Sequence, residues 1–220
     1  MLRVAVLASG RGSNLAALQA CDDDAGFGIV GVFSDKPDSG ALQHARDAGI
    51  HAQALVPGGY PNRESFDLAF FADVMQIQPD LIVCAGYMRI ISAVALARLS
   101  VPMINIHPSL LPLYPGLHTH ARALEAGDAE HGASVHLVTA ELDGGPVIAQ
   151  ARVPVHADDD PTTLAARVLE REHHLLPASV ALFARGRLKL HQGQPWLDGE
   201  PLAAPLQLRG KVLVQDGPDK

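Results

Sequence analysis

The sequence has 220 residues, of which 48% are hydrophobic and 19% are charged, a balance typical of globular rather than disordered proteins. A formal net charge of −7 without a basic stripe argues against a nucleic-acid partner, and no apolar run reaches the roughly 18 residues that span a membrane. The two cysteines, Cys21 and Cys84, are too few for a disulfide framework or a zinc cluster, so we expect a cytoplasmic protein.

Apolar strand-like segments alternate with helix-like segments over the first hundred residues. The opening MLRVAVL enters a glycine turn, so we interpret it as a first strand and not as a secretion signal. This alternation predicts a Rossmann-like, mostly parallel, twisted sheet flanked by helices. The predicted strands are Leu2–Ala8, Gly28–Ser34, Ala52–Val56, Leu81–Ala85 and Met103–Ile106. The predicted helices are Asn14–Ala20, Gly40–Ala48, Asn62–Ile77 and Ile91–Leu99.

The second half of the chain has a different pattern. Two strands, Ser134–Thr139 and Pro146–Val155, are joined by a short glycine-rich turn, which favours an antiparallel hairpin and brings the expected total to about seven strands. A long helix follows, with Asp160 as N-cap, and ends before Gly186. We predict a single α/β domain over residues 1–200, with a phosphate- or nucleotide-binding half (1–100) and a catalytic half (101–200). Residues 201–220 lack clear periodicity and are predicted to be an exposed tail.

The first strand runs into the turn Gly10-Arg11-Gly12-Ser13-Asn14, which precedes a helix. Two glycines allow backbone N–H groups to converge, and such a turn can hold a phosphate. The turn alone does not distinguish between two interpretations: a phosphate-binding site, and a strand–helix turn that binds no ligand. Dinucleotide binding is disfavoured because Leu15 stands where that fingerprint has its third glycine, although Asp35 imitates its ribose-binding acid.

The fifth strand ends in Asn105-Ile106-His107, so Asn105 and His107 share one face at the edge of the sheet where ligands bind. An Asn amide can stabilise an oxyanion, and His carries protons near neutral pH. Asp143, in the later glycine-rich turn, is the candidate carboxylate for this His. Hydrogen bonding to a loop, and an ordinary turn aspartate, remain the alternatives.

Two further features carry less specific signals. His118, His120, His131 and His136 could supply nitrogens to a metal, but no three-ligand spacing stands out, and we expect no metal site. Glu172 interrupts an apolar stripe of the last long helix. It is either a salt-bridge partner or an acceptor for ligand hydroxyls or an amine.

Several segments, taken together and in order, resemble the phosphoribosylglycinamide formyltransferase family, folate-dependent enzymes of purine biosynthesis. They cover most of residues 1–195 and read VLASGRGSNL, PDLIVCAGYMRIIS, INIHPSLLPLYPGLHTHARALEAGD, HGASVHLVTAELDGGPVIAQARVPV, and EHHLLP with GRLKLH. The resemblance implies formyl transfer from 10-formyltetrahydrofolate, a co-substrate, to the amine of glycinamide ribonucleotide. It also implies small-molecule partners only, with no nucleic acid and no membrane, in a monomer or homodimer.

The resemblance implies that the half 101–200 is folate-binding as well as catalytic, and it also implies roles for individual residues. Asn105, His107 and Asp143 match the catalytic residues. The ribonucleotide would contact Gly12, Ser13, Asn14 and Glu172. The folate would contact Arg63, Met88, Arg89, Ile90, Ile91 and Asn105. Asp35 departs from the family pattern, in which we expect Asn.

Two other functions remain as alternatives. A formyltetrahydrofolate hydrolase would use water in place of the amine, but such proteins usually carry an extra N-terminal domain. A dinucleotide-binding oxidoreductase is less favoured because of Leu15.

Overall fold

The computed structural model describes residues 1–21 and 25–215. The chain forms two compact units, Met1–Asn105 and a second that begins at Ile106. The boundary lies within one strand, so the chain passes from one unit to the other without a linker.

Parallel strands form the sheet of the first unit, as predicted. Their bounds are β1 (Leu2–Leu7), β2 (Phe27–Ser34), β3 (Ala52–Ala54), β4 (Leu81–Cys84) and β5 (Met103–His107). Their order is β5-β4-β1-β2-β3, and each neighbouring pair is parallel. All four residues of β4 are buried, which explains its continuous apolar sequence. Strand β1 lies between β2 and β4, so successive strands are added on one side of β1 up to β3 and on its other side from β4 onward.

The α-helices among the described residues of this unit are α1 (Ser13–Gln19), α2 (Gly40–Asp47), α3 (Arg63–Gln76) and α4 (Ala93–Ala97), and Pro57–Gly59 forms a 3₁₀ turn. Side-chain caps mark the starts of α2 and α3. Asn62 and Ser65 form a capping box at α3, and the Ser39 hydroxyl caps α2. Phe66, Phe70 and Val74 of α3 are almost fully buried and form the face of the helix that packs into the core.

The second unit contains the predicted hairpin of β6 (Glu130–Leu137) and β7 (Val147–Pro154), which are antiparallel. The long helix α6 (Pro161–Ala184) packs on both strands. It starts where predicted, because Asp160 accepts hydrogen bonds from the N–H groups of Thr162 and Thr163 at 2.8 and 2.7 Å. The predicted α/β class is therefore confirmed. A short helix that the sequence did not predict, α5 (Thr119–Ala126), precedes the hairpin.

Short strands continue beyond residue 187, so the described residues contain more strands than the seven expected. They are β8 (Leu188–His191), β9 (Gln194–Leu197), β10 (Glu200–Pro201), β11 (Leu206–Arg209) and β12 (Val212–Val214). Strand β11 pairs in parallel with β7 and buries Leu206 and Leu208, while β12 pairs with β11. The predicted exposed tail is therefore wrong for 206–214, and residues 216–220 lie outside the described residues. Strand β11 has only four residues, so its alternation of buried and exposed side chains is too short to be recognised in the sequence.

Within the ranges that the structure describes, no helix has the length and apolar character needed to cross a bilayer.

Candidate active site

Strand β5 carries both Asn105 and His107, as predicted, and residues two apart in a strand share a face. Asn105 is half-buried, whereas His107 is 6% exposed. Between them, Ile106 projects to the opposite face of the strand and is buried. The end of this strand therefore presents an amide and an imidazole in the same direction.

The hydrogen bonds of His107 fix which of its nitrogens can exchange a proton. Its Nε2 lies 2.9 Å from the carbonyl oxygen of Tyr114. Because a carbonyl oxygen only accepts, Nε2 donates its hydrogen there. Its Nδ1 lies 3.5 Å from Oδ2 of Asp143. In the neutral ring Nδ1 therefore carries the lone pair, and protonation at Nδ1 places the new charge beside a carboxylate.

Asp143 lies in the β6–β7 connection with a left-handed backbone (φ 50°), which Asp tolerates better than most residues. Its side chain is only 11% exposed, and Oδ2 accepts the N–H of Gly116 at 2.8 Å. Gly145 keeps the connection tight, because a Cβ there would overlap the carbonyl oxygen of Leu137. The backbone N–H of Gly116 thus holds Asp143 beside His107. The sequence predicted that Asp143 lies next to this histidine.

His136 is a further member of this centre that sequence reasoning considered only as a weak metal ligand. Its Nδ1 donates to the carbonyl oxygen of Leu137 at 2.9 Å, and its Nε2 lies 3.6 Å from Oδ1 of Asp143. Burial lowers the pKa of His136, an effect that the Leu137 carbonyl and Asp143 partly offset and that His107 reinforces. Asp143 therefore lies between two imidazoles, and burial disfavours the protonated form of His136.

Polar side chains of the hairpin hold the proline-rich loop that follows His107. Ser134, fully buried, accepts the N–H of Leu111 at 3.0 Å and donates to the carbonyl oxygen of Ser109 at 2.7 Å. Gln150 donates to the Leu111 carbonyl oxygen at 2.9 Å. The Leu111–Pro112 peptide bond is cis. This part of the loop is fixed by side chains on β6 and β7.

Two of the remaining candidate metal ligands, His120 and His131, hydrogen-bond each other, and the third, His118, is exposed. Nδ1 of His120 lies 3.1 Å from Nε2 of His131, whose ring also hydrogen-bonds the Pro108 backbone. Among residues 1–21 and 25–215, no group of three or more His, Cys, Asp or Glu side chains is arranged to hold a metal ion.

The glycine turn lies in the first unit, at the start of α1. Gly12 has φ 87° and precedes Ser13, the first helical residue. A Cβ at Gly12 would lie 2.8 Å from Cα of Ala41, so the turn packs directly on α2. Ser13 is half-buried and Asn14 is buried. These residues form the compact strand–helix turn that the sequence predicts.

The predicted folate residues of the first unit lie at the start of α3 and after β4. Arg63 is exposed as the first residue of α3. Met88 and Ile90 are 67% and 53% exposed, which is unusual for large apolar side chains held in one short segment. Ile91 is half-buried, and the Arg89 guanidinium lies 4.7 Å from the centre of the Phe66 ring. The segment Met88–Ile91 thus combines exposed apolar side chains with an Arg89 guanidinium that stacks on Phe66.

Glu172 and Cys84 are both buried. Glu172 is 8% exposed on α6, in a stripe with Leu164, Val168 and Leu176, which are fully buried. The predicted stripe is thus confirmed. Burial raises the pKa of the Cys84 thiol to about 12, so it is not a ready nucleophile.

A family model described as formyl transferase matches residues 2–180. The chain belongs to the formyl transferase family. Its relatives in that family include the phosphoribosylglycinamide formyltransferase of Escherichia coli (strain K12), 48% identical over 203 residues that cover 91% of this chain and 96% of the relative. The corresponding protein of Haemophilus influenzae is 40% identical, with 92% and 96% covered.

Solved structures of formyl transferases extend the similarity to the fold. The phosphoribosylglycinamide formyltransferase of Coxiella burnetii has a TM-score of 0.87 and 43% identity, and the match covers 92% of this chain and 96% of that chain. The protein from Brucella melitensis has a TM-score of 0.79 and 45% identity, with 86% and 99% covered. The match therefore spans nearly the full length of these two solved structures.

Proposed function

We propose that this chain transfers the formyl group of 10-formyltetrahydrofolate to the amine of glycinamide ribonucleotide in purine biosynthesis. The observation that carries the proposal is the near-complete match to phosphoribosylglycinamide formyltransferases, 48% identical over 91% of this chain. These relatives favour the transferase over the hydrolase and over the dinucleotide-binding oxidoreductase. We also propose a cytoplasmic location and an assembly of one or two copies.

His107 and Asp143 are proposed to move the proton. As the substrate amine attacks the formyl carbon, a carbon–nitrogen bond forms and the amine nitrogen must lose a proton. Nδ1 of His107 is suited to accept it, because Nε2 is committed to Tyr114 and Asp143 stabilises the resulting imidazolium. The proton then passes to the folate nitrogen as its bond to the formyl carbon breaks. Atoms and charges balance without a further reactant.

Asn105 is proposed to stabilise the oxyanion that develops on the formyl oxygen. It lies two positions before His107 on β5, so both side chains approach the same region. A preorganised amide donor of this kind lowers a barrier by on the order of 3 kcal/mol.

The two substrates are proposed to use the residues that the resemblance implies. The ribonucleotide phosphate would bind the backbone of Gly12, Ser13 and Asn14, where the tight turn and the first N–H groups of a helix suit an anion. The folate would contact Arg63, the segment Met88–Ile91 and Asn105, a proposal supported by the exposed Met88 and Ile90. Glu172 would accept hydrogen bonds from the ribose.

Release of tetrahydrofolate from 10-formyltetrahydrofolate, measured with and without glycinamide ribonucleotide, tests this function. Release that depends strictly on the ribonucleotide supports the transferase, whereas equal release without it supports the hydrolase. His107→Ala should lower the rate by roughly 10²–10⁴-fold. His156→Ala, which removes an exposed imidazole of the second unit, is the matched control and should retain the rate. Full activity after treatment with a chelator would support the expectation that no metal takes part.

A further inference from the structure

Ser9 lies at a distinctive place in the first unit, just beyond the carboxyl end of β1. In the order β5-β4-β1-β2-β3, the chain leaves β1 toward β2 on one side, and β4 lies on the other. Ligands bind at such a switch point in open α/β sheets. Ser9 is 4% exposed there, and its N–H donates to the carbonyl oxygen of Gly86 at 3.0 Å.

The hydroxyl of Ser9 joins two segments that are far apart in sequence. It donates to Oδ1 of Asp35 at 2.6 Å and accepts the N–H of Met88 at 3.0 Å. An ionised carboxylate can only accept and an amide N–H can only donate, so the direction of each hydrogen bond is fixed. The bond to Asp35 has the length of a charge-assisted hydrogen bond, and both side chains are buried. Asp35 therefore holds the Ser9 lone pair toward Met88.

The segment Met88–Ile91 is held at its other end in the same way. The N–H of Ser92, the N-cap of α4, donates to Oδ2 of Asp67 at 2.7 Å, and Asp67 is fully buried on α3. The backbone of the segment is thus held at both ends by buried side chains, and only the Ser9 end is adjacent to the glycine turn.

We propose that the Ser9 hydroxyl couples the two substrate seats, so that a phosphate bound at the glycine turn strengthens folate binding at Met88–Ile91. Ser9 directly precedes Gly10, whose carbonyl oxygen accepts the N–H of Ala41 on α2. A phosphate that binds this turn further restricts the motion of Ser9 and, through the Met88 N–H, the motion of the segment that the folate contacts. Asp35 is a positioning residue that acts through Ser9. This inference rests on the proposed function, which assigns the turn and the segment to the two substrates.

Titration with tetrahydrofolate, which carries no formyl group and cannot react, measures the coupling directly. Its dissociation constant is compared with and without saturating glycinamide ribonucleotide. We expect the ribonucleotide to lower that constant at least fivefold in the wild-type protein, within the usual range of coupling between sites. By linkage, tetrahydrofolate should lower the ribonucleotide dissociation constant by the same factor.

Three variants separate coupling from simple support of the fold. Ser9→Ala should reduce the ratio of the two constants to about one. Asp35→Asn should keep it, because the amide oxygen still accepts from Ser9. Asp67→Ala, at the other end of the segment, removes the acceptor of the Ser92 N–H and should weaken tetrahydrofolate binding but leave the ratio unchanged. If Ser9→Ala folds poorly, Asp35→Ala serves instead, and a ratio near one supports the proposal.

Two results would overturn the coupling. One is a ratio of one in a wild-type protein that binds both molecules and transfers formyl groups, a result that leaves the proposed function intact. The other is an unchanged ratio in a folded Ser9→Ala or Asp35→Ala protein. Failure of the proposed function itself is distinguishable, because formyl transfer would then be absent from the wild-type protein.

Discussion

The carboxylate of Asp143 faces His107 with one oxygen and His136 with the other, at 3.5 and 3.6 Å. Each imidazole donates its other N–H to a backbone carbonyl, so in each neutral ring the nitrogen nearest the carboxylate carries the lone pair. Both distances are longer than a typical direct hydrogen bond, and the one to His107 lies within ion-pair range when that ring is protonated. Asp143 can therefore stabilise the positive charge of a protonated His107 through electrostatic attraction.

Replacing the carboxylate tests this arrangement. Asp143→Asn should lower kcat by roughly 10²–10⁴-fold, because the imidazolium of His107 loses its counter-charge. Steady-state kinetics measures the effect, and thermal unfolding shows whether the protein remains folded. Asp158→Asn, an exposed neighbour of the α6 N-cap, is the control. A kcat within twofold of the wild-type value would rule out a role for the charge.

Buried histidines should make the stability depend on pH. Burial lowers the pKa of His131 to about 4, and burial also lowers the pKa of His120 and His136. The unfolded chain, with histidine pKa values near 6.5, then binds protons that the folded protein does not. This contribution to the free energy of unfolding is complete above about pH 6.5 and is lost as the pH falls toward 4.

Urea unfolding at several pH values checks this expectation. The free energy of unfolding should decrease below pH 6.5, and His131→Gln should make the decrease shallower. The exposed His156→Gln should not change the slope. Identical slopes for the wild-type protein and His131→Gln would contradict the assignment.

Gly12 should not tolerate a side chain. Gly12→Ala places a Cβ 2.8 Å from Cα of Ala41 and imposes a left-handed backbone on alanine, which costs roughly 1–2 kcal/mol. We expect a lower melting temperature and a higher KM for the ribonucleotide. Gly58→Ala is the matched control, since no heavy atom lies within 4 Å of a Cβ there and φ is not positive. Equal melting temperatures for both variants would contradict the close packing.

The buried C-terminal strand should contribute to stability. Leu206 is 2% exposed, and Leu206→Ala should lower the free energy of unfolding by about 2–5 kcal/mol. Val212→Ala, at a side chain that is 63% exposed, should change it by less than about 0.5 kcal/mol. Chemical denaturation compares the two, and similar small effects would mean that β11 does not pack as described.

The proposed substrate seats should separate in the kinetics. Ser13→Ala and Asn14→Ala should raise the KM for glycinamide ribonucleotide more than the KM for the folate. Arg63→Ala should do the reverse, because its exposed guanidinium belongs to the proposed folate contacts. If the glycine-turn variants mainly raised the KM for the folate, or Arg63→Ala mainly raised the KM for the ribonucleotide, the proposed contact would be wrong.

Local sequence chemistry predicted much of this fold. Asp160 and Pro161 determine where α6 begins, and continuous apolar runs identify buried strands such as β4. Helix α5 was missed because its N-cap, His118, has a left-handed backbone and makes no side-chain capping hydrogen bond. Strands β8–β12 contain two to four residues each, too few for a period to appear.

The candidate site was less accessible to sequence reasoning. Asn105 and His107 share a strand face, so their spacing was informative. Asp143 and His136 approach His107 only through the β6–β7 hairpin. The partners of the Ser9 hydroxyl are 26 and 79 positions away, and no local pattern could reveal them.

The hold on Met88–Ile91 uses backbone N–H groups at Met88 and Ser92, whereas the side chains of Met88 and Ile90 point largely to solvent. Exchange of those side chains should leave the path of the main chain unchanged. Natural drift at these positions can therefore alter the surface offered to a ligand at little cost to folding. A library randomised at positions 88 and 90, with Ser9 and Asp67 kept, is a rational starting point for selecting variants that accept altered folates.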